Sequence, residues 1–109
     1  MIDLKYILVI LALHFVGDFL LQSDRMSKNK SKSLEWLSIH IIFYTLALTP
    51  LGVKFAAING LAHLFVDYGT SKATSRLWEM KKVHWFFVVI GADQMIHYSV
   101  LFWTYTLLA

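Results

Sequence analysis

The sequence predicts an all-α protein, a bundle of four transmembrane helices, and three observations carry that prediction. Apolar side chains make up 58% of the chain and charged ones only 16%, whereas a soluble domain gives about a quarter of its positions to charge. At 109 residues the chain is a single domain (residues 1–109). That is too small to bury so much apolar surface, and the natural solvent for the excess is lipid. Thirdly, the ten Lys and Arg residues are clustered. Arg25, Lys28, Lys30 and Lys32 fall in one polar segment and Lys72, Arg76, Lys81 and Lys82 in another, with Lys5 and Lys54 apart.

Four apolar stretches lie around these segments, each expected to be helical because lipid offers no partner to unpaired backbone groups. Span one runs from about Leu4 to Leu21. Lys5 followed by an apolar run resembles a signal peptide, but Phe15 to Gln22 has no small-x-small cleavage pattern, so the segment reads as an uncleaved span. Span two runs from about Leu34 to Leu51, and Pro50 and Gly52 turn the chain into span three, about Phe55 to Gly69. Span four, about Trp85 to Leu108, is the longest. Spans one to three are near or below the ~20 residues that cross a hydrocarbon core, which implies local thinning of the bilayer or tilting of span four. The two basic segments are then loops one and three, on one side, and the positive-inside rule makes that side cytoplasmic. The expected location is the inner (plasma) membrane, multi-pass, with both termini outside. Trp36, Trp78 and Trp85 sit near the cytoplasmic ends and Trp103 and Tyr105 near the outer end, as interfacial anchors do. Orientation signals explain the basic clusters, so no nucleic-acid partner is expected. The alternative fold is a hydrophobic soluble helical bundle; the uncharged length of span two and of the outer part of span four argues against it.

The chemistry lies in histidines and aspartates. His14 precedes Asp18, His63 precedes Asp67, and His97 follows Asp93, each by four residues, so each pair shares a helix face. His40 adds a polar group from the remaining span. Counted at ~1.5 Å per residue from the cytoplasmic end, all seven fall in that half of the bilayer, about 3 to 18 Å deep. Gln22, Arg25, Asn59, Ser71 and Tyr44 extend the same polar faces, and the small residues Gly17, Ala56, Gly60 and Gly91 suit close helix approach. A single His–Asp pair reads best as a polar lock between helices. Three carboxylates together repel one another and need a positive group between them. The chain has no cysteine, so a metal site must use nitrogen and oxygen ligands. His14, Asp18, His40, His63, Asp67, Asp93 and His97 are the candidate ligands for one or two divalent ions, zinc or manganese by ligand type. A metal-free proton-shuttling network is the competing reading. His84, Asp24, Glu35 and Glu79 read as interfacial, loop or helix-end groups.

The string His14-Phe-Val-Gly-Asp18-Phe-Leu-Leu-Gln22, then His40, His63-Leu-Phe-Val-Asp67-Tyr and Asp93-Gln94-Met-Ile-His97, resembles a family of unknown function made of short integral membrane proteins of bacteria and their phages. The resemblance spans nearly the whole chain and includes Lys72 after the second His–Asp pair. It implies no established activity. In style, His and Asp motifs in short membrane helices are similar to the DNA-damage-inducible membrane proteins classed as metal-dependent hydrolases, which is analogy only.

Three functions compete. The first is a metal-dependent hydrolase acting on a lipid or lipid-linked phosphate or ester at the inner leaflet, with Asp18 or Asp93 bridging metals or serving as the base, and with Gln22, Arg25 and Lys72 as substrate-binding residues. The second is a metal or proton transporter, for which the outer halves of the spans offer few polar groups. The third is a non-catalytic phage or host membrane-interaction protein with a structural metal. The partners expected are the lipid bilayer, a lipid-linked substrate and, as an open alternative, a second copy of the chain in a homo-oligomer.

Overall fold

In the computed structural model, which describes residues 3–108, five α-helices follow one another with no strand among those residues. α1 (Leu4–Phe15) continues into a π-helical segment, Val16–Leu20, closed by Leu21 N–H donating to the Val16 carbonyl at 2.9 Å. A short α2 (Asp24–Asn29) occupies the first connection, where the sequence alone suggests only a loop. Ser23 caps it, its Oγ accepting from Met26 N–H at 3.2 Å. α3 (Leu34–Leu48) ends in a 3-10 turn, Thr49–Leu51. Gly52 then takes φ +119, open to glycine and strained for other residues, and starts α4 (Val53–Glu79). α5 (Val83–Leu108) completes the chain.

The all-α expectation holds, and two segments, Leu34–Leu51 and Val83–Leu108, are long and apolar enough to cross a membrane by length and composition. The third apolar segment corrects the sequence reading. It does not stop near Gly69 but runs through Lys72 and Arg76 to Glu79. From Thr70 to Glu79 there is no Pro or Gly, and Ala, Lys, Arg, Leu and Glu favour the helix whatever their polarity. The expected third loop shrinks to Met80–Lys82. It closes as a Schellman turn: Lys82 N–H donates to the Leu77 carbonyl at 2.9 Å and Lys81 N–H to that of Trp78 at 3.0 Å, with Lys81 at φ +59.

Packing inverts the pattern of a soluble protein. The buried residues among those described include eight hydrophobic ones and ten polar or charged ones. Large apolar side chains meanwhile stand outside: Phe65 is 75% exposed, Leu4 69% and Trp103 65%. The apolar core sits at one end, where Ile10, Tyr44, Leu48, Phe55, Ala56 and Leu101 pack together. Asn59 adds a cross-helix polar tie there, Nδ2 donating to Thr104 Oγ1 at 2.8 Å. Gly17 and Gly60 are close-approach points: a Cβ on Gly17 would lie 2.9 Å from Tyr44 Cδ2, and one on Gly60 would overlap Thr45 Oγ1. Gly91 is not such a point. Nothing lies within 4 Å of a Cβ built there, because that face of α5 points outward.

Candidate metal centre

Toward the other end of the bundle the four longer helices project their ionisable groups at one another. The π-helical turn carries Asp18 inward, and such turns recur at functional sites because one extra residue per turn re-aims a side chain. Asp18 is the hub. Its Oδ1 lies 3.2 Å from His40 Nε2 and 3.3 Å from His63 Nε2, and its Oδ2 accepts from Gln94 Nε2 at 2.9 Å. The two Nε2 atoms are themselves 3.2 Å apart. Two imidazole edges and a carboxylate oxygen thus converge on one point, and neutral rings cannot satisfy all three contacts with the protons they carry. The Nδ1 atoms of His40 and His63 are buried without a partner.

Two sets of ligand atoms lie within 4.8 Å of one another: Asp18, His63 and His97, and His40, His63 and Asp67, all of them buried. His63 belongs to both. The His63 and His97 rings stack with centroids 3.9 Å apart and planes 13° from parallel. His97 Nε2 stands 3.1 Å from Asp93 Oδ1, too poorly aligned for a hydrogen bond. Asp93 instead accepts from Thr70 Oγ1 at 2.6 Å and from Gln94 Nε2 at 3.2 Å.

His14 behaves differently from the other histidines. Its Nδ1 meets Tyr44 Oη at 2.7 Å and its Nε2 meets Gln94 Oε1 at 2.8 Å. One proton arrangement satisfies the whole chain of bonds. Tyr44 donates to His14 Nδ1, His14 Nε2–H donates to Gln94 Oε1, and the Gln94 amide donates to Asp18 and Asp93. Both ring nitrogens of His14 are therefore engaged, and it stands in neither of the two ligand groups. It belongs to the scaffold that holds the carboxylates.

Asp67 has a partner that sequence reasoning did not find: Lys30 Nζ, 2.9 Å from its Oδ2. The connection places Lys30 over the cluster from 37 residues away, a distance at which no spacing rule acts. Gln94 was visible in the motif but carried no assigned role. An open cavity of about 690 Å³ leads to the cluster. Its lining includes the buried Asp18 and Asp67 with Asp93 and Gln94, the more exposed Lys28, Lys30, Lys32 and Glu79, and the apolar Phe19, Phe86, Phe87 and Ile90. It can therefore admit a ligand to the carboxylates from the basic end. Toward the opposite end the apolar core lies beyond the cluster.

Of the residues expected to hold substrate, Gln22 lines this cavity, with its Oε1 buried and unpartnered. Arg25 is exposed on α2, outside that lining. Lys72 also lies outside it, because its Nζ donates to the Ser31 carbonyl at 2.9 Å and sits 4.7 Å above the Tyr68 ring. His84, Asp24, Glu35 and Glu79 are exposed, as expected.

Fold and site together define a class: an all-helical bundle, apolar outside, that buries a carboxylate–imidazole cluster under an open basic mouth. Within that class, the chain belongs to the family described as Protein of unknown function (DUF3307), the match covering residues 6–109. No curated protein and no solved structure matches it.

Proposed function

We propose that this chain is a multi-pass protein of the plasma membrane that holds a divalent metal at the His/Asp cluster and hydrolyses a lipid or lipid-linked phosphate or ester at the cytoplasmic face. The four-span reading is supported by the inverted packing, since apolar side chains as exposed as Phe65 and Leu4 find their solvent in lipid. A length of 42 Å along the bundle also suits a bilayer of about 40–45 Å with its headgroups. The basic residues at the cavity mouth favour the cytoplasmic side for that end.

The single observation that carries the metal reading is the meeting of His40 Nε2, His63 Nε2 and Asp18 Oδ1 within 3.3 Å of one another. A cation resolves that convergence by accepting all three lone pairs. His40, His63 and Asp18 would be the ligands at that point, and Asp67 and His97, each grouped with His63, would be within reach to complete the set. Because both ligand groups share His63, one ion would be the simplest occupancy. Nitrogen and carboxylate donors without thiolate suit zinc or manganese. Such an ion supplies a Lewis acid and an activated water. The protein's own part is to aim that chemistry at the cavity. Asp93, whose side chain is 13% exposed and hydrogen-bonded to Thr70, faces the open space and is placed to act as the base. As base it would hold the proton lost by the attacking water and give it to the leaving oxygen as the ester bond breaks. Gln22 adds a polar contact for the substrate.

Elemental analysis of detergent-purified protein, combined with assays of product release from lipid phosphates and esters, tests this. Metal and turnover in the wild type, both lost in a folded Asp18→Asn variant, is the expected result. A metal-loaded protein that cleaves none of these substrates makes the ion a structural staple. Metal flux into liposomes would make the protein a transporter, a reading the apolar core beyond the cluster disfavours.

A further inference from the structure

The cavity wall raises a question the metal does not answer. A site for a soluble phosphate has no use for an aromatic side, yet Phe19 at the end of the π-helical segment and Phe86, Phe87 and Ile90 of α5 line this one. Phe19 is 45% and Phe87 60% exposed, so the same side chains that face the cavity also form the outer surface of the bundle. The same lining includes Lys28 and Lys30. It also includes Ser71, 5% exposed, whose buried Oγ has no hydrogen-bond partner. A buried hydroxyl without a partner costs about as much as a lost hydrogen bond, which points to a group that supplies one.

We infer that the cavity binds an anionic phospholipid, which enters sideways from the bilayer between Phe19 and Phe86/Phe87. Its phosphate is held by Lys28, Lys30 and the Ser71 hydroxyl, and its acyl chain lies along the aromatic wall. The inference rests on the metal reading in one respect: Asp18, Asp67 and Asp93 repel an anion until a cation neutralises them. The charge pattern commits the site to an amphipathic ligand. Cationic side chains at the rim match a phosphate, and an apolar wall continuous with the exterior matches a chain that never leaves the membrane. Lys30 links the two sites, for an ion bound at Asp67 competes with its ammonium and turns it toward the phosphate.

Trp78 lines the same cavity and provides the reporter. Full-length protein with Trp36, Trp85 and Trp103 replaced by Phe is placed in phosphatidylcholine nanodiscs and loaded with zinc or manganese. Elemental analysis of the same sample reads metal content separately. A minor fraction of phosphatidic acid with brominated chains is the probe, and brominated phosphatidylcholine the control. Quenching of Trp78 is expected to exceed random mixing for the anionic lipid only. The enrichment falls about fivefold for each lysine removed in Lys28→Gln and Lys30→Gln. It is lost in Ser71→Phe, which fills the space without changing charge, and is unmoved in Lys81→Gln/Lys82→Gln. Equal quenching by the two lipids overturns the inference, as does enrichment that survives Ser71→Phe, because it would then reflect only the basic surface. Displacement of the lipid by millimolar inorganic phosphate also overturns it, since the site would then take the free anion. Lipid-specific quenching in a sample free of metal sinks the metal reading while leaving the lipid site standing, so the two failures are distinguishable.

Discussion

Replacing Lys30 by methionine removes a charge and keeps the length of the side chain, and the distance from Lys30 to Asp67 sets the size of the effect on metal binding. Lys30 Nζ lies 2.9 Å from Asp67 Oδ2. A divalent ion bonded to that carboxylate at ~2.1 Å would stand roughly 5 Å from the ammonium. With an effective dielectric of about 20, that repulsion is on the order of 6–7 kcal/mol if nothing moves. Lys30 borders the open cavity and swings away, so at roughly 10 Å, with more water between the charges, about 2 kcal/mol remains. Lys30→Met is therefore expected to bind zinc or manganese about thirtyfold more tightly than the wild type, a ratio set by ~1.4 kcal/mol per decade. Without metal the variant leaves the buried Asp67 carboxylate only His40 and His63, 3.6 and 3.7 Å away, and melts lower, and added metal raises its midpoint more than that of the wild type. Competition against a chromophoric chelator in detergent gives the affinities, and melting monitored by circular dichroism gives the shifts. Equal or weaker metal affinity in a Lys30→Met protein of normal helicity refutes the reasoning, for it would mean that Asp67 is not at the ion.

Three other outcomes are expected from the same geometry. Gly17→Ala places a Cβ 2.9 Å from Tyr44 Cδ2 and 3.2 Å from its Cα. It should cost about 1–3 kcal/mol by forcing α3 away and weakening the Tyr44–His14 bond, whereas Gly91→Ala, which meets nothing, should leave the thermal midpoint unchanged or slightly raised. Lys81→Gly relieves the φ of +59 at the Schellman turn and should stabilise by about 0.5–1 kcal/mol in a denaturation experiment, with no change in metal content. Metal affinity should fall steeply as pH is lowered from about 7.5 to 5.5, since ligand histidines must shed protons to bind and each ligand adds to the slope; a pH-independent affinity would leave only carboxylates at the ion.

What the sequence revealed was what local rules govern. Four residues along a helix is one turn, so His14 with Asp18 and His63 with Asp67 could be put on common faces without knowing the fold. Counting residues from the basic end put the seven groups at one level, because antiparallel helices share a ruler. The apolar segments stood out for the same reason, their length and composition being local. Long-range contacts stayed hidden. Lys30 reaches Asp67 only because α2 folds under the bundle, and Gln94 ties Asp18 to Asp93 only through the rotamer its neighbours impose. Charge misled the reading of α4, where Lys72 and Arg76 looked like a loop although nothing from Thr70 to Glu79 breaks a helix. The small residue Gly91 misled as well, since absence of a side chain permits close approach but does not cause it.

The distribution of polarity is what separates the competing functions. A transporter needs polar groups at successive depths, so that an ion leaving one set of ligands finds another. Here the ionisable groups gather at one level, and toward the far end Ile10, Leu48, Phe55 and Leu101 pack against one another, with Asn59 and Thr104 paired to each other rather than facing open space. A purely structural lock needs the opposite: every polar atom satisfied and no way in. The cluster departs from that on both counts, since His40 Nδ1, His63 Nδ1 and Ser71 Oγ lack partners and a cavity reaches the carboxylates. Unsatisfied polar atoms, an opening beside the basic residues and aromatic side chains that also face the exterior are all disadvantages for a lock or a channel. For the proposed enzyme, which would draw a lipid out of the bilayer and shield its reacting bond from bulk water, each would have a use.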